Sequence, residues 1–406
     1  METKGPKKVK FYLGFPVEVK DGNTAKPMTN RGVALLVAMF VTAMSMLFLA
    51  EMKLSSSVAN QIALGHHLNV KGEYIAKSGV NLAKLLLSAD LALDLSLREV
   101  QGDNFFPADG PDDIWGMLNG LPIGGETLEM VSTMKESFDL SAVNDSKVLD
   151  QLQLFDGSFM INVTDETAKI NVNNCGIGRG LKCMAMLESI MSCPAEREFL
   201  ERKKVEPSEI VSLIRDWVDE NTRANDGANY SSEGDPYDER EGDQYPKNAR
   251  FDSVDELKLI PGWDDEMHKI FSPFLTVYPI PTETIKDSSL VNFNTANRGF
   301  LGCLLPGSNK ECSEKSALYI SKRSKMGSVS GGESLKSTLS QQFCASSNDQ
   351  VQRFGYRSDV YRINVTGQVE EQYRNLDLVL KRGIPDERDE KQGFTGTMKY
   401  LYWKML

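Results

Sequence analysis

Between Asp216 and Asp243 the chain gathers ten carboxylates, Asp216, Asp219, Glu220, Asp226, Glu233, Asp235, Asp238, Glu239, Glu241 and Asp243, against Arg223 and Arg240. At that density mutual repulsion spreads a loop open unless a cation gathers it. Calcium suits such a loop, because it accepts about six to eight oxygens from flexible carboxylates, amides and carbonyls. The order Asp219-x-Asn221 with Asp226-Gly227 echoes an EF-hand loop, but the spacing differs and Tyr230, not a glutamate, falls at the twelfth position. An acidic loop that is merely solvated is the plainer alternative, as most charge runs are.

The other reactive side chains are cysteines. All six, at positions 175, 183, 193, 303, 312 and 344, lie beyond residue 100. In an oxidising compartment they make up to three disulfides, and about fifteen pairings are open. Cys303 and Cys312 flank the short stretch LLPGSNKE and are the favoured pair; buried unpaired thiols are the alternative. A zinc site is disfavoured, since the chain has no C-x-x-C and His66, His67 and His268 stand at no ligand spacing from a cysteine. Enzyme motifs are missing as well: there is no G-x-S-x-G, no H-E-x-x-H and no phosphate loop. The Gly-rich GSVSGG at 327 to 332 reads as a flexible linker, and neither an enzyme nor a small-molecule substrate is expected. A net charge of −11 and a pI near 5.1 argue against nucleic acid and anionic surfaces as partners.

These residues must be positioned by a chain that begins unlike a soluble protein. Val33 through Ala50 is eighteen residues without a charge, enough as a helix to cross most of a bilayer's hydrocarbon core. Lys4, Lys7, Lys8, Lys10, Lys20, Lys26 and Arg31 precede it, which holds the N-terminal side in the cytoplasm and exports the residues beyond Glu51. The helical period continues through Leu54, Val58, Ile62, Leu68, Ile75, Val80 and Leu86, giving one helix to about Leu97. Phe159, Ile161 and Val163 then alternate with Met160 and Asn162, a turn comes at 164 to 167, and Ile170 and Val172 alternate again, a pattern that predicts a β-hairpin. Alternation returns at Val360 to Val365, Leu376 to Leu380 and Tyr400 to Trp403. Between these strands SEIVSLIRDWVDE, with Ile210, Leu213, Ile214 and Trp217 on one face, and VDELKLI, capped by Ser253 and Glu256, predict helices. An insert this large inside a small sheet domain needs its own core.

A basic leader ending in Gly32, with such a helix directly after it, resembles the type IV pilins and type II secretion pseudopilins. The resemblance implies cleavage by a prepilin peptidase between Gly32 and Val33, and Met28 is a plausible start that leaves a five-residue leader. Most members carry a glutamate where this chain has Val37, one that pairs with a neighbouring subunit's N-terminal amine. A buried carboxylate in lipid persists only with a partner, and its absence is a feature of the K-type minor pseudopilin placed at the tip. The ordered strings VTDETAKINVNN, RDWVDEN, SVDELKLIPGW, FLTVYP, SSLVNFNTAN and YRINVTGQVEEQYRNLDLVLKR resemble general secretion pathway protein K in order and spacing. The implied fold is α+β: a type IV pilin-like head with a long N-terminal helix, a small antiparallel sheet and a large inserted α-helical domain related to SAM and helix-hairpin-helix folds.

The implied organisation is a leader at 1–32, the helix at 33–100 with 33–50 transmembrane, the first part of the head at 101–174, the inserted domain at 175–345, and C-terminal strands at 346–406. The resemblance also implies I- and J-type minor pseudopilins as partners, inner-membrane anchoring with a periplasmic C-terminal domain, and calcium in the helical domain. The acidic loop would hold that calcium, with Asp216, Asp219, Asn221, Asp226, Glu233 and Asp235 as the expected ligands. A minor tip pilin of a type IV pilus is the near alternative. A membrane-tethered DNA receptor is the distant one, because SVDELKLIPGW resembles a helix-hairpin-helix module whose hairpin amides grip phosphate. There Trp263, Asp264, Asp265 and Glu266 come directly after the hairpin and would repel phosphate.

Overall fold

The computed structural model describes residues 9–12, 15–18, 31–101, 108–111, 113–117, 119–124, 157–176, 180–224, 230–237, 245–279, 290–305, 309–345, 348–383 and 398–406. Two compact units divide the chain, Met1–His67 and Leu68–Leu406. The first holds a two-stranded antiparallel ribbon of β1 (Val9–Tyr12) and β2 (Phe15–Glu18) and the beginning of α1 (Arg31–Gln101). Among the described residues α1 is the helix long and apolar enough to cross a membrane, and its residues 33 to 64 are exposed all round.

In the second unit α1 becomes amphipathic and packs on a five-stranded antiparallel sheet of order β11-β10-β9-β4-β3. The strands are β3 (Pro122–Gly124), β4 (Ser158–Asp165), β9 (Val360–Val369), β10 (Gln372–Arg382) and β11 (Met398–Met405). Ile75, Ala76, Val80, Leu82, Ala83 and Leu87 of α1 form one core with Phe159, Ile161 and Val163 of β4, Ile363 and Val365 of β9, and Leu376, Leu378 and Leu380 of β10. Glycines let the helix lie close to the sheet. A Cβ on Gly79 would come within 2.5 Å of Val365 Cγ1 and 2.9 Å of Phe159 Cδ2, and one on Gly367 within 2.7 Å of the Gly72 carbonyl.

The expected hairpin across 155–174 does not form. β4 pairs with β3 and β9, while β5 (Ile170–Asn171) pairs in parallel with β6 (Leu275–Thr276). The turn between them explains the difference. Asp165 caps a 3-10 turn at Glu166–Ala168 by accepting the Thr167 N–H (2.8 Å), and Glu166 is held by Lys169 (2.7 Å) and Arg362 (3.0 Å). The chain is thereby turned out of the sheet, and Ile170 and Val172 join a second core.

That second core belongs to the inserted helices: α2 (Leu181–Met191), α3 (Pro194–Lys203), α4 (Pro207–Val218), α5 (Asp265–Phe271), α6 (Arg298–Leu304), α7 (Lys310–Lys322), α8 (Gly332–Phe343) and α9 (Asn348–Val351). A short parallel pair, β7 (Val291–Asn292) with β8 (Phe354–Gly355), lies near its end. The expected face of α4, Ile210, Leu213, Ile214 and Trp217, is buried, and Trp217 stacks on Phe251 at 5.8 Å. The segment 254–259 is a 3-10 helix rather than an α-helix, though Ser253 and Glu256 form the expected capping box. Val329 in the expected linker is tied to Asn294, donating to its Oδ1 (2.8 Å) and accepting from its Nδ2 (3.1 Å), so that stretch is not free.

Three disulfides join Cys175 to Cys183, Cys193 to Cys303, and Cys312 to Cys344. The expected Cys303–Cys312 bridge is therefore wrong. Cys303 lies in α6 opposite the turn between α2 and α3, whereas Cys312, in the first turn of α7, meets the end of α8. Helix–helix packing, not nearness in sequence, selects the partners.

Candidate metal centre

The candidate centre is built at the end of α4. Pro207 at the first turn fixes the helix start, and from Ile210 onward the helix is buried except at half-buried Arg215, while Ser208 and Glu209 stay exposed. Asp216 falls on that face in the last turn and is 1 % exposed. Asp219 comes next as the C-terminal cap, its N–H donating to the Arg215 carbonyl at 3.0 Å. The chain then leaves the helix and returns through a bridge between Arg223 and Ser232, which brings Glu233 back over the helix end. Carboxylate oxygens of Asp216, Asp219 and Glu233 all lie within 4.8 Å of one another.

Three carboxylates this close cannot all be ionised in a buried site without a counter-charge. Asp216 has a partial remedy, accepting a hydrogen bond from the Tyr230 hydroxyl at 2.7 Å. Glu233 is 2 % exposed, and among the described residues no N–H or O–H donor reaches either of its oxygens. Burial first, and then the charges of Asp219 and Asp216, push its carboxyl up to about 8. Burial also raises Asp219. An orphaned buried carboxylate beside two others is a donor set fit for a hard divalent cation, which takes oxygen ligands and supplies the missing positive charge.

Of the remaining expected ligands, Asn221 stays beside the centre, donating through its backbone and side chain to the Asp219 carboxyl. Asn221 accepts the Arg223 N–H through its own Oδ1 (2.8 Å), an exposed Asx turn that shapes the loop. Asp235 accepts the N–H groups of Ser231 (3.0 Å) and Ser232 (2.9 Å), fixing the turn that carries Glu233. Asp226 lies outside the described residues. Tyr230 was missed, because a tyrosine in an acidic loop has no pattern of its own.

The hairpin of the suspected helix-hairpin-helix turns at Gly262, whose φ is +81°. Trp263 beyond it is buried, 6.0 Å from the Phe271 ring. Its acidic residues are engaged internally: Asp264 caps α5 through the Met267 N–H (2.9 Å) and pairs with Lys203, Glu266 pairs with Lys203 (2.6 Å), and Asp265 with Lys258 (2.9 Å). Gly32 and Val33 stand in the first turn of α1.

A membrane-length helix, running on to pack against a small antiparallel sheet whose neighbouring strands enclose a helical insert, defines a pilin-like protein of unusual size. Residues 168–280, which hold the candidate centre, match the family model described as type II secretion system (T2SS), protein K. The fold is similar to that of a chain in the crystal structure of the GspK-GspI-GspJ complex from enterotoxigenic Escherichia coli type 2 secretion system. The TM-score is 0.54 and the identity 14 %, over 84 % of this chain and 98 % of that one. A comparison with curated protein sequences finds no match. The family match thus covers residues 168–280, and the structural similarity shows a pilin-like fold for the chain.

Proposed function

We propose that this chain is a minor pseudopilin of a type II secretion system that caps the tip of a pseudopilus and, together with I- and J-type minor pseudopilins, supports protein secretion across the outer membrane. The observation that carries the reading is the large helical domain enclosed between neighbouring strands of a pilin-like head, a bulk that would obstruct stacking of a further subunit if it faces the tip. The missing carboxylate at Val37 supports it, since a terminal subunit has no neighbour's amine to neutralise. The 33–50 segment anchors the chain in the bacterial inner membrane, with the second unit in the periplasm, and prepilin peptidase cuts between Gly32 and Val33. Calcium binds Asp216, Asp219 and Glu233, where it gathers the acidic loop and plays a structural part only.

Co-purification tests the assembly. The full chain, extracted in detergent, is mixed with I- and J-type minor pseudopilins and with a major pseudopilin. A stable complex with the I- and J-types, and none with major subunits added above it, is expected. Equal incorporation along a filament would refute capping.

A further inference from the structure

A second group of carboxylates lies in the pilin-like head. Asp90 and Asp94, one turn apart on α1, bring their carboxylates within 4.8 Å of that of Asp109. A guanidinium, not a vacant space, is at the centre. Arg382, at the end of β10 and 2 % exposed, donates to Asp90 Oδ2 (2.6 Å), Asp109 Oδ1 (2.6 Å) and the Ser358 carbonyl (3.1 Å). On β9 the Tyr361 hydroxyl lies 3.2 Å from Asp109 Oδ1 and 3.0 Å from the Ser358 carbonyl, while the Ser358 N–H donates to Asp109 Oδ2 at 2.8 Å. Asp113 accepts the Gly110 N–H at 2.5 Å, and Asp165 at the end of β4 faces the same tyrosine.

The charges do not balance. The bonds of Arg382 go to Asp90 and Asp109, and neither Asp94 nor Asp113 shares in them. Burial, with the neighbouring charges of Asp90 and Asp109 adding to it, raises Asp94 and Asp113 to about 7, and burial raises Asp90 to about 6 against the pull of Arg382.

We propose that this cluster is a proton-operated latch joining the C-terminal part of α1 to the 108–113 segment and the end of β10. The latch is closed when Asp94 and Asp113 carry protons, because each then adds no charge and can donate a hydrogen bond. Above neutrality both ionise, four carboxylates face one guanidinium, and repulsion loosens α1 and the 108–113 segment from the sheet end. The direction is set by linkage. Both folded-state values stand above the ordinary 3.8, so the stability these groups contribute is fully present at low pH and is lost as pH rises through about 7.

Hydrogen exchange on the full chain in detergent, with chelator present and intrinsic exchange rates corrected for pH, reads the latch peptide by peptide. Between pH 5.5 and 8, segments 87–97 and 108–117 are expected to lose protection at least about tenfold, since each of the two groups contributes more than about one unit of uncompensated shift over that span. The double variant Asp94→Asn with Asp113→Asn, which mimics the protonated groups, is expected to hold the pH 5.5 protection at both values. Asp90→Asn, which strips Arg382 of a partner, should lower protection at both. An infrared band of protonated carboxyl, present at pH 6 in the native chain and reduced in Asp113→Asn alone, gives a reading that does not depend on the double variant folding. Equal protection of the native chain at the two pH values, an undiminished pH response in the double variant, or no such infrared band would overturn the latch.

Discussion

Substituting Glu233→Gln separates the metal reading from a merely solvated loop. If calcium sits among Asp216, Asp219 and Glu233, it stabilises the folded unit by about 2.7 kcal/mol at a hundredfold excess over Kd. Unfolding entropy of about 2.1 cal/mol/K per residue, taken over Leu68–Leu406, gives roughly 0.7 kcal/mol per degree, so Tm should rise by about 4 °C with calcium over chelator. The effect must also depend on pH. Glu233 is pushed up to about 8, so below that value calcium has to displace its proton. Going from pH 8 to pH 6 then weakens binding by about a hundredfold if one proton is released, and the rise shrinks to under about 1 °C. Without metal the sign reverses. The folded value of Glu233 lies above its ordinary 4.5, so its stability is present at low pH and lost as pH rises through about 8. Glu233→Gln removes that loss and removes the calcium response together. Differential scanning fluorimetry at pH 8 and pH 6, with calcium or chelator, checks all four expectations. A native Tm indifferent to calcium at pH 8, or an undiminished rise in Glu233→Gln, refutes the metal centre.

Two further outcomes rest on the covalent chemistry. Replacing Cys193 and Cys303 by serine reopens a span of 110 residues and should cost about 4–5 kcal/mol in chemical denaturation, against about 2–3 kcal/mol for the span of 8 closed by Cys175 and Cys183; the reverse order would contradict the pairing. Gly32→Val should leave the leader attached, so mass spectrometry is expected to find a mature N-terminus at Val33 in the native chain only, and any other native start would remove the processing site.

Local rules explain how much of this was readable. The long helix, the strands at 158–165, 360–369 and 372–382, and the buried face of α4 follow from apolar spacing alone, because each buries one face against one partner. The false hairpin shows where that logic stops. Ile170 and Val172 alternate as a strand does, yet they serve another core, and only the Asp165–Glu166 contacts made across long sequence distances turn the chain there. The disulfides fail for the same reason, being set by which helices meet. In the site, the sequence shows an acidic run but not which of its carboxylates meet, and the roles of Asn221 and Asp235 as turn formers depend on backbone N–H groups that no spacing reveals.

The way the helical domain is joined to the sheet has a mechanical consequence. β4 ends at Asp165, and the chain re-enters the sheet beside it, with Asp165 paired to Tyr361 in register. The insert therefore joins the head at two adjacent, hydrogen-bonded points, with Val360 and Val379 of the sheet packed into its core, instead of lying in series with the head. Tension or thrust applied along α1 passes into the sheet through the helix–strand contact and need not travel through the insert. Helices of the insert can thus change in size or be remodelled by an ion without altering how axial load is carried.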